Sequence, residues 1–241
     1  MKIIRDTQRN CARMAAEEYR KLLNENPHCV LGLATGSTPE MLYEELVALC
    51  KAGKLSFKDV TTYNLDEYVG LDGSHPQSYR YFMDSHLFNL VDIDKTRTHV
   101  PCGIGVTDEM AAHYDDEIKQ AGGVDLQLLG IGHDGHIGFN EPGAAFELGT
   151  HCVHLTKETI EANKRFFDNN EDLVPKEAYT MGIKTIMQAR KVLMVANGVG
   201  KADIIKKAFF GPVTPEVPAS ILQMHPDFTL VLDAEAASKL D

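Results

Sequence analysis

Apolar and polar positions fall into two alternating kinds of block along the chain. Short, nearly uninterrupted apolar runs, CVLGLA (29–34), VTTYNL (60–65), VDLQLLGIG (124–132), KVLMVAN (191–197) and FTLVLD (228–233), have the length of buried strands. Between them, apolar residues recur at helical spacing. The pattern predicts helices over 7–24, ended by Pro27, from the end of CVLGLA to about 51, over 77–87, over about 200–209, and a short one in AEAASKL (234–240). Strands of this kind alternating with helices predict βαβ units. The expected fold is therefore α/β, an open, mainly parallel sheet with helices on both faces. The Pro-rich GPVTPEVPAS (211–220) predicts an irregular loop, and no repeat or linker interrupts the series, so 1–241 reads as one domain.

Charge narrows the partners. The 241 residues carry 35 acidic against 24 basic side chains, a formal net charge of −11, with no basic run. Nucleic acid and anionic membrane surfaces are excluded as expected partners, because neither meets a basic footprint. A small anion remains open, since a helix N-terminus and one or two local cations suffice to bind it. Five cysteines, odd in number and without a Cys-x-x-Cys pair, point to a reduced, cytoplasmic protein. MKIIRDTQRN lacks the apolar stretch of a signal peptide, and no segment has the length and apolarity of a membrane span.

Two strand–turn–helix junctions suit a phosphate. In ATGSTPEMLYEEL (34–46), Gly36 permits close approach of the backbone, Ser37 and Thr38 offer hydroxyl and amide donors, and Pro39 fits the first helical position. An ordinary helix cap reads the same way. In VLMVANGVGKADII (192–205), Lys201 lies in the first turn of a helix, where a cation opposes the dipole unless an anion sits nearby. Arg165, in EANKRFFDNN, joins them if the fold brings it to the same pocket; otherwise it is a surface residue.

Titratable groups gather at two further strand ends. Asp66 and Glu67 follow VTTYNL, where a carboxylate projects into the cleft of an open sheet or else caps a turn or pairs with a surface cation. The strand over 124–131 leads into LLGIGHDGHIGFNEPG (128–143), which sets His133, Asp134, His136 and Glu141 among glycines. Zinc hydrolases space two histidines four apart on a helix, whereas these are three apart in a loop that glycines keep from helical form. A histidine oriented by carboxylates for acid–base work fits better.

LATGSTP, NLDEYVGL, HPQSYRYFM, GIGHDGHIGFNEPG, NKRFFDN, VPKEAYTMGI and GVGKA together resemble the glucosamine-6-phosphate deaminase family. The resemblance implies a Rossmann-like core, a sugar-phosphate substrate, and a chemistry that uses no metal and no organic cofactor. It implies that Asp66 moves a proton between carbons 2 and 1, that His136 opens the pyranose ring, and that Asp134 and Glu141 orient His136. Gly36, Ser37 and Thr38 would cradle the phosphate, with Arg165 and Lys201 as its cationic ligands. His133 stands where many members carry another polar residue. The allosteric members' effector site uses an Arg and a Lys at positions that align here with His151 and Val153, and their carboxyl-terminal tail is longer. Hyperbolic kinetics without effector activation are therefore expected, in a monomer or small homo-oligomer. Two neighbouring readings are a 6-phosphogluconolactonase, whose Asp-Gly-His loop continues differently from IGFNEPG, and a sugar-phosphate-sensing module without turnover.

Overall fold

The chain's computed structural model describes residues 1–105 and 107–240. Its elements run β1 (Lys2–Asp6), α1 (Gln8–Glu25), β2 (Val30–Leu33), α2 (Glu40–Lys51), β3 (Thr61–Asn64), β4 (Asp66–Tyr68), α3 (Tyr79–Met83), β5 (Thr98–His99) and α4 (Asp108–Gln120). They continue with β6 (Leu126–Leu129), β7 (His151–His154), α5 (Lys157–Asn163), β8 (Glu177–Thr180), α6 (Ile183–Met187), β9 (Lys191–Ala196), α7 (Ala202–Phe210) and β10 (Phe228–Asp233). Seven strands form one sheet in the order β1-β10-β9-β6-β2-β3-β5, every pair parallel. This is the open α/β sheet with flanking helices that the apolar runs predict.

The central strands are buried along their whole length, as VLGL and LQLL require when both faces are covered. Helix α1 opens at Thr7, whose hydroxyl accepts the Asn10 N–H, and turns Cys11, Ala12, Ala15, Ala16, Tyr19 and Leu23 inward. Each large apolar side chain buried in this way stabilises the fold by about 1.5–3 kcal/mol relative to exposure.

The strand order fixes where a ligand can sit. From β2 the chain steps outward through β3 to β5, then returns to place β6 on the other side of β2 before moving on to β9 and β10. The direction of winding thus reverses between β2 and β6. Beyond the carboxyl ends of strands at such a switch, the loops diverge to opposite faces and leave a crevice.

A second sheet, β4-β8-β7, is antiparallel and short, pairing Asp66 with Thr180 and Cys152 with Tyr179. It carries its own apolar cluster of Tyr68, Phe139, Leu155, Phe167, Val174 and Ala178. Strands of three and four residues contain too few alternations to be read as periodic. Strand β1 and helix α4 are likewise absent from the sequence-based expectation: β1 is an edge strand in which only Ile4 is buried, and α4 buries the narrow stripe Ala111, Tyr114 and Ile118.

The expected helix in AEAASKL is a succession of turns. Asp233 Oδ1 accepts the Ala236 N–H at 2.7 Å and also the Gly198 N–H, which caps the first turn and ties it to the loop after β9, but the turns do not extend into a helix. The loop over 211–220 is irregular at first and passes into a 3-10 turn at Pro218–Met224.

Candidate active site

Three loops emerge at the switch. After β2, Gly36 holds φ +95°, a left-handed conformation that a side chain would strain, and so turns the chain sharply into α2. Pro39 takes the cap position, one residue before the helix proper, and supplies no side-chain acceptor. The first-turn amides therefore have no side-chain cap of their own, Ser37 is exposed, and Thr38 is half-buried. An ordinary Ser or Thr cap is not what this turn forms.

After β9, the Gly198 N–H donates to both carboxylate oxygens of Asp233, at 3.0 and 2.9 Å, which ties the turn to the end of β10. Lys201 ends the 3-10 turn Val199–Lys201 and leads into α7, and its Nζ donates to the Ile131 carbonyl at 2.7 Å. Burial lowers its ammonium pKa to about 8, with nearby Arg165 adding to the fall and Asp134 opposing it. Arg165 reaches this neighbourhood from the turn after α5, its guanidinium 4.7 Å from the centre of the Phe166 ring. The structure thus brings Lys201 and Arg165 together, and their mutual repulsion suits an anion between them.

Between these turns, the loop after β6 carries the acid–base cluster. His136 Nδ1 lies 2.7 Å from Asp134 Oδ1, and the His136 N–H donates to the same oxygen at 3.0 Å. Glu141 Oε2 is 3.9 Å from His136 Nδ1, while Glu141 Oε1 accepts the Thr159 hydroxyl at 2.6 Å. Burial presses the Asp134 pKa upward, but bonds and charge from His136 outweigh it and hold the carboxyl well below the usual range. Burial raises Glu141, against the Thr159 bond. Gly132 is required beneath this cluster, because a Cβ there would fall 2.3 Å from the imidazole. Asp134, His136 and Glu141 bring three donor atoms within 4.8 Å of one another, a set that could also hold a cation.

Asp66 does not extend the VTTYNL strand; it begins β4 in the second sheet. Its partner Thr180 accepts the Phe139 N–H at 2.9 Å, and a Cβ on Gly138 would lie 3.6 Å from Asp66 Oδ2. The carboxylate therefore faces the 132–141 loop. It is 6% exposed, and burial, reinforced by the charge of Glu67, raises its pKa to about 8.

Glu67 has a separate task. At 2% exposure it accepts the N–H groups of Tyr68 and Tyr79 at 2.9 Å and of Arg80 at 3.0 Å, closing the N-terminus of α3. It is neither a surface ion-pair partner nor a free base. Thr159 and Thr156, the helix-opening residues that hold Glu141, were also not anticipated. TKET reads as a helix start, but nothing local says whose carboxylate its hydroxyls meet. His151 and Val153 lie on β7, where His151 Nδ1 contacts the Gly149 carbonyl at 2.9 Å.

This fold and this arrangement define an α/β enzyme class, and the chain belongs to the family of glucosamine-6-phosphate isomerases/6-phosphogluconolactonase, matched over residues 5–231. It is 49% identical over 239 residues to a glucosamine-6-phosphate deaminase of Clostridium perfringens, covering 99% of this chain and 98% of that one. The solved structure of a monomeric glucosamine-6-phosphate deaminase superposes with a TM-score of 0.96 at 41% identity, over 99% of this chain and all of the other. A 6-phosphogluconolactonase from Trypanosoma cruzi shares the fold at 20% identity, with a TM-score of 0.76 over 99% of this chain and 96% of the other. Among the described residues, no helix is long and apolar enough to cross a membrane.

Proposed function

We propose that this chain converts glucosamine 6-phosphate and water to fructose 6-phosphate and ammonia, an aldose–ketose isomerisation with deamination, in the amino-sugar catabolism of the cytoplasm. The observation that carries the reading is the convergence, at one switch point, of a buried carboxylate, a carboxylate-held histidine and a pair of cations. A phosphate binds the Gly36–Ser37–Thr38 turn with Lys201 and Arg165. His136, oriented through Nδ1 by Asp134, exchanges a proton with the ring oxygen and opens the pyranose. Asp66 then takes the carbon 2 proton and returns it to carbon 1, leaving an imine that water hydrolyses. Fixing the phosphate places carbon 2 against Asp66, so the anchor accelerates a step in which it forms no bond. The protein acts as a monomer or small homo-oligomer. Formation of ammonia and fructose 6-phosphate from glucosamine 6-phosphate by the purified protein tests the assignment, and hydrolysis of 6-phosphogluconolactone in its place would favour the lactonase.

Two further results are expected. Lys201→Ala should raise the Michaelis constant with little change in kcat, because a charge-assisted contact to a bound phosphate contributes about 1.5–3 kcal/mol. Arg165→Ala should act in the same direction but less, since an exposed cation is screened. An unchanged Michaelis constant in both variants places the phosphate elsewhere. Activity should also survive exhaustive treatment with a strong chelator, because Asp134 and Glu141 serve here to orient and charge His136 and not to hold a metal; loss of turnover that a divalent metal restores would contradict that role.

A further inference from the structure

His133 is the one titratable group of the 132–138 loop that the acid–base chemistry leaves unused. Strand β6 lies between β2 and β9, so the loop bearing His133 emerges between the Gly36 turn and the Lys201 turn. The ring is bound to the second of these: His133 Nδ1 lies 3.2 Å from the Gly200 carbonyl, and a Cβ on Gly200 would lie 3.3 Å from His133 Cε1. The charged groups that act on it are Lys201 and Arg165, both repelling a proton, and Asp134, attracting one.

The Gly200 bond decides what the ring can do next. A carbonyl only accepts, so Nδ1 carries the hydrogen and any further bond is made through Nε2. In the neutral ring Nε2 is a lone pair, which repels a phosphate oxygen; in the protonated ring it is a charged donor. We propose that His133 is a third, proton-gated ligand of the substrate phosphate, neutral in the free protein and protonated when the dianion occupies the turn between Gly36 and Lys201. Without the anion, partial desolvation of this otherwise exposed ring and then the Lys201 charge hold its pKa below the ordinary histidine value. A bound dianion reverses the sign of the local field and favours the imidazolium. The proposal rests on the phosphate reading above and adds to it a binding residue whose contribution depends on pH.

The sign follows from the proton. Affinity contributed by His133 is present when the complex can hold the extra proton and is lost as pH rises through the pKa of the liganded ring. The test uses histidine NMR of the whole protein, titrated alone and with saturating sorbitol 6-phosphate, which has no ring to open; His133→Ala assigns the resonance. The His133 pKa should rise by about one unit or more on binding. His133→Ala should weaken sorbitol 6-phosphate binding about tenfold at pH 6.5, a difference that vanishes by about pH 9, and His133→Lys should restore affinity at pH 6.5 and bind more tightly than wild type at pH 9. An unshifted His133 titration while the ligand binds with an affinity that Lys201→Ala reduces overturns this proposal and leaves the phosphate site standing. Binding that is absent, or indifferent to Lys201→Ala, overturns both.

Discussion

Asp66→Asn should abolish deuterium exchange from solvent into carbon 2 of glucosamine 6-phosphate while the protein stays folded and still binds the sugar phosphate. Asparagine preserves the shape of the buried side chain and removes its basicity, and loss of a general base costs about 10²–10⁴ in rate. Unfolding is not the expected cause of the loss. The folded carboxyl keeps its proton up to about pH 8, whereas an unfolded one releases it near the ordinary aspartate value of 3.8. Between those values the unfolded state binds fewer protons, so ionisation of Asp66 disfavours the fold as pH rises. The neutral amide removes that penalty, and the melting temperature at pH 8 should hold or increase.

The same residue sets the pH profile. In the free enzyme the proton must leave Asp66 before it can act as a base, so kcat/KM should climb toward about pH 8. Lys201 loses its charge at about 8 and with it its hold on phosphate, so kcat/KM should fall on the alkaline side. A flat profile across pH 6–10, or normal exchange in Asp66→Asn, would remove Asp66 from the role. Glu67 would not inherit it, because both of its oxygens already accept backbone N–H groups.

His136→Gln should fail at a different step. Asp134 Oδ1 lies 2.7 Å from Nδ1 of this ring, so in the proposed mechanism Nε2 is the atom that exchanges a proton with the ring oxygen. Glutamine can hydrogen-bond there but cannot give and take the proton, and turnover of the cyclic substrate should fall by about 10²–10⁴. An analogue lacking the ring-closing hydroxyls needs no opening, and its carbon 2 exchange should proceed at close to the wild-type rate. If His136→Gln slows the open analogue as much as the cyclic substrate, the histidine acts at carbon 2 and the division of labour is wrong. Together the two variants separate ring opening from proton transfer, because each removes one group and leaves the other's hydrogen bonds in place.

The chain announces most of its main sheet by itself. CVLGLA, VTTYNL, LQLLG, KVLMVAN and FTLVLD are buried along most of their length, which favours mainly apolar composition, although Thr62, Asn64 and Gln127 are buried within them as well. The loops at their carboxyl ends are legible for the complementary reason: glycines and titratable groups cluster where backbone must turn and chemistry is exposed to a ligand. Residues whose environment comes from afar were not legible. Asp66 reads as the end of one strand but opens another, paired to Thr180 across 114 positions of chain. Glu67 reads as a surface acid, yet the amides of α3 bury it. Arg165 could be placed beside Lys201 only by the fold, and His133 acquires its neighbours only because β6 is threaded between β2 and β9. Periodicity and turn chemistry are local properties, fixed by the residues that display them. Burial, field and hydrogen-bond partner are sums over atoms that strand order alone brings together, and those sums give the carboxylates and cations of this site their different tasks.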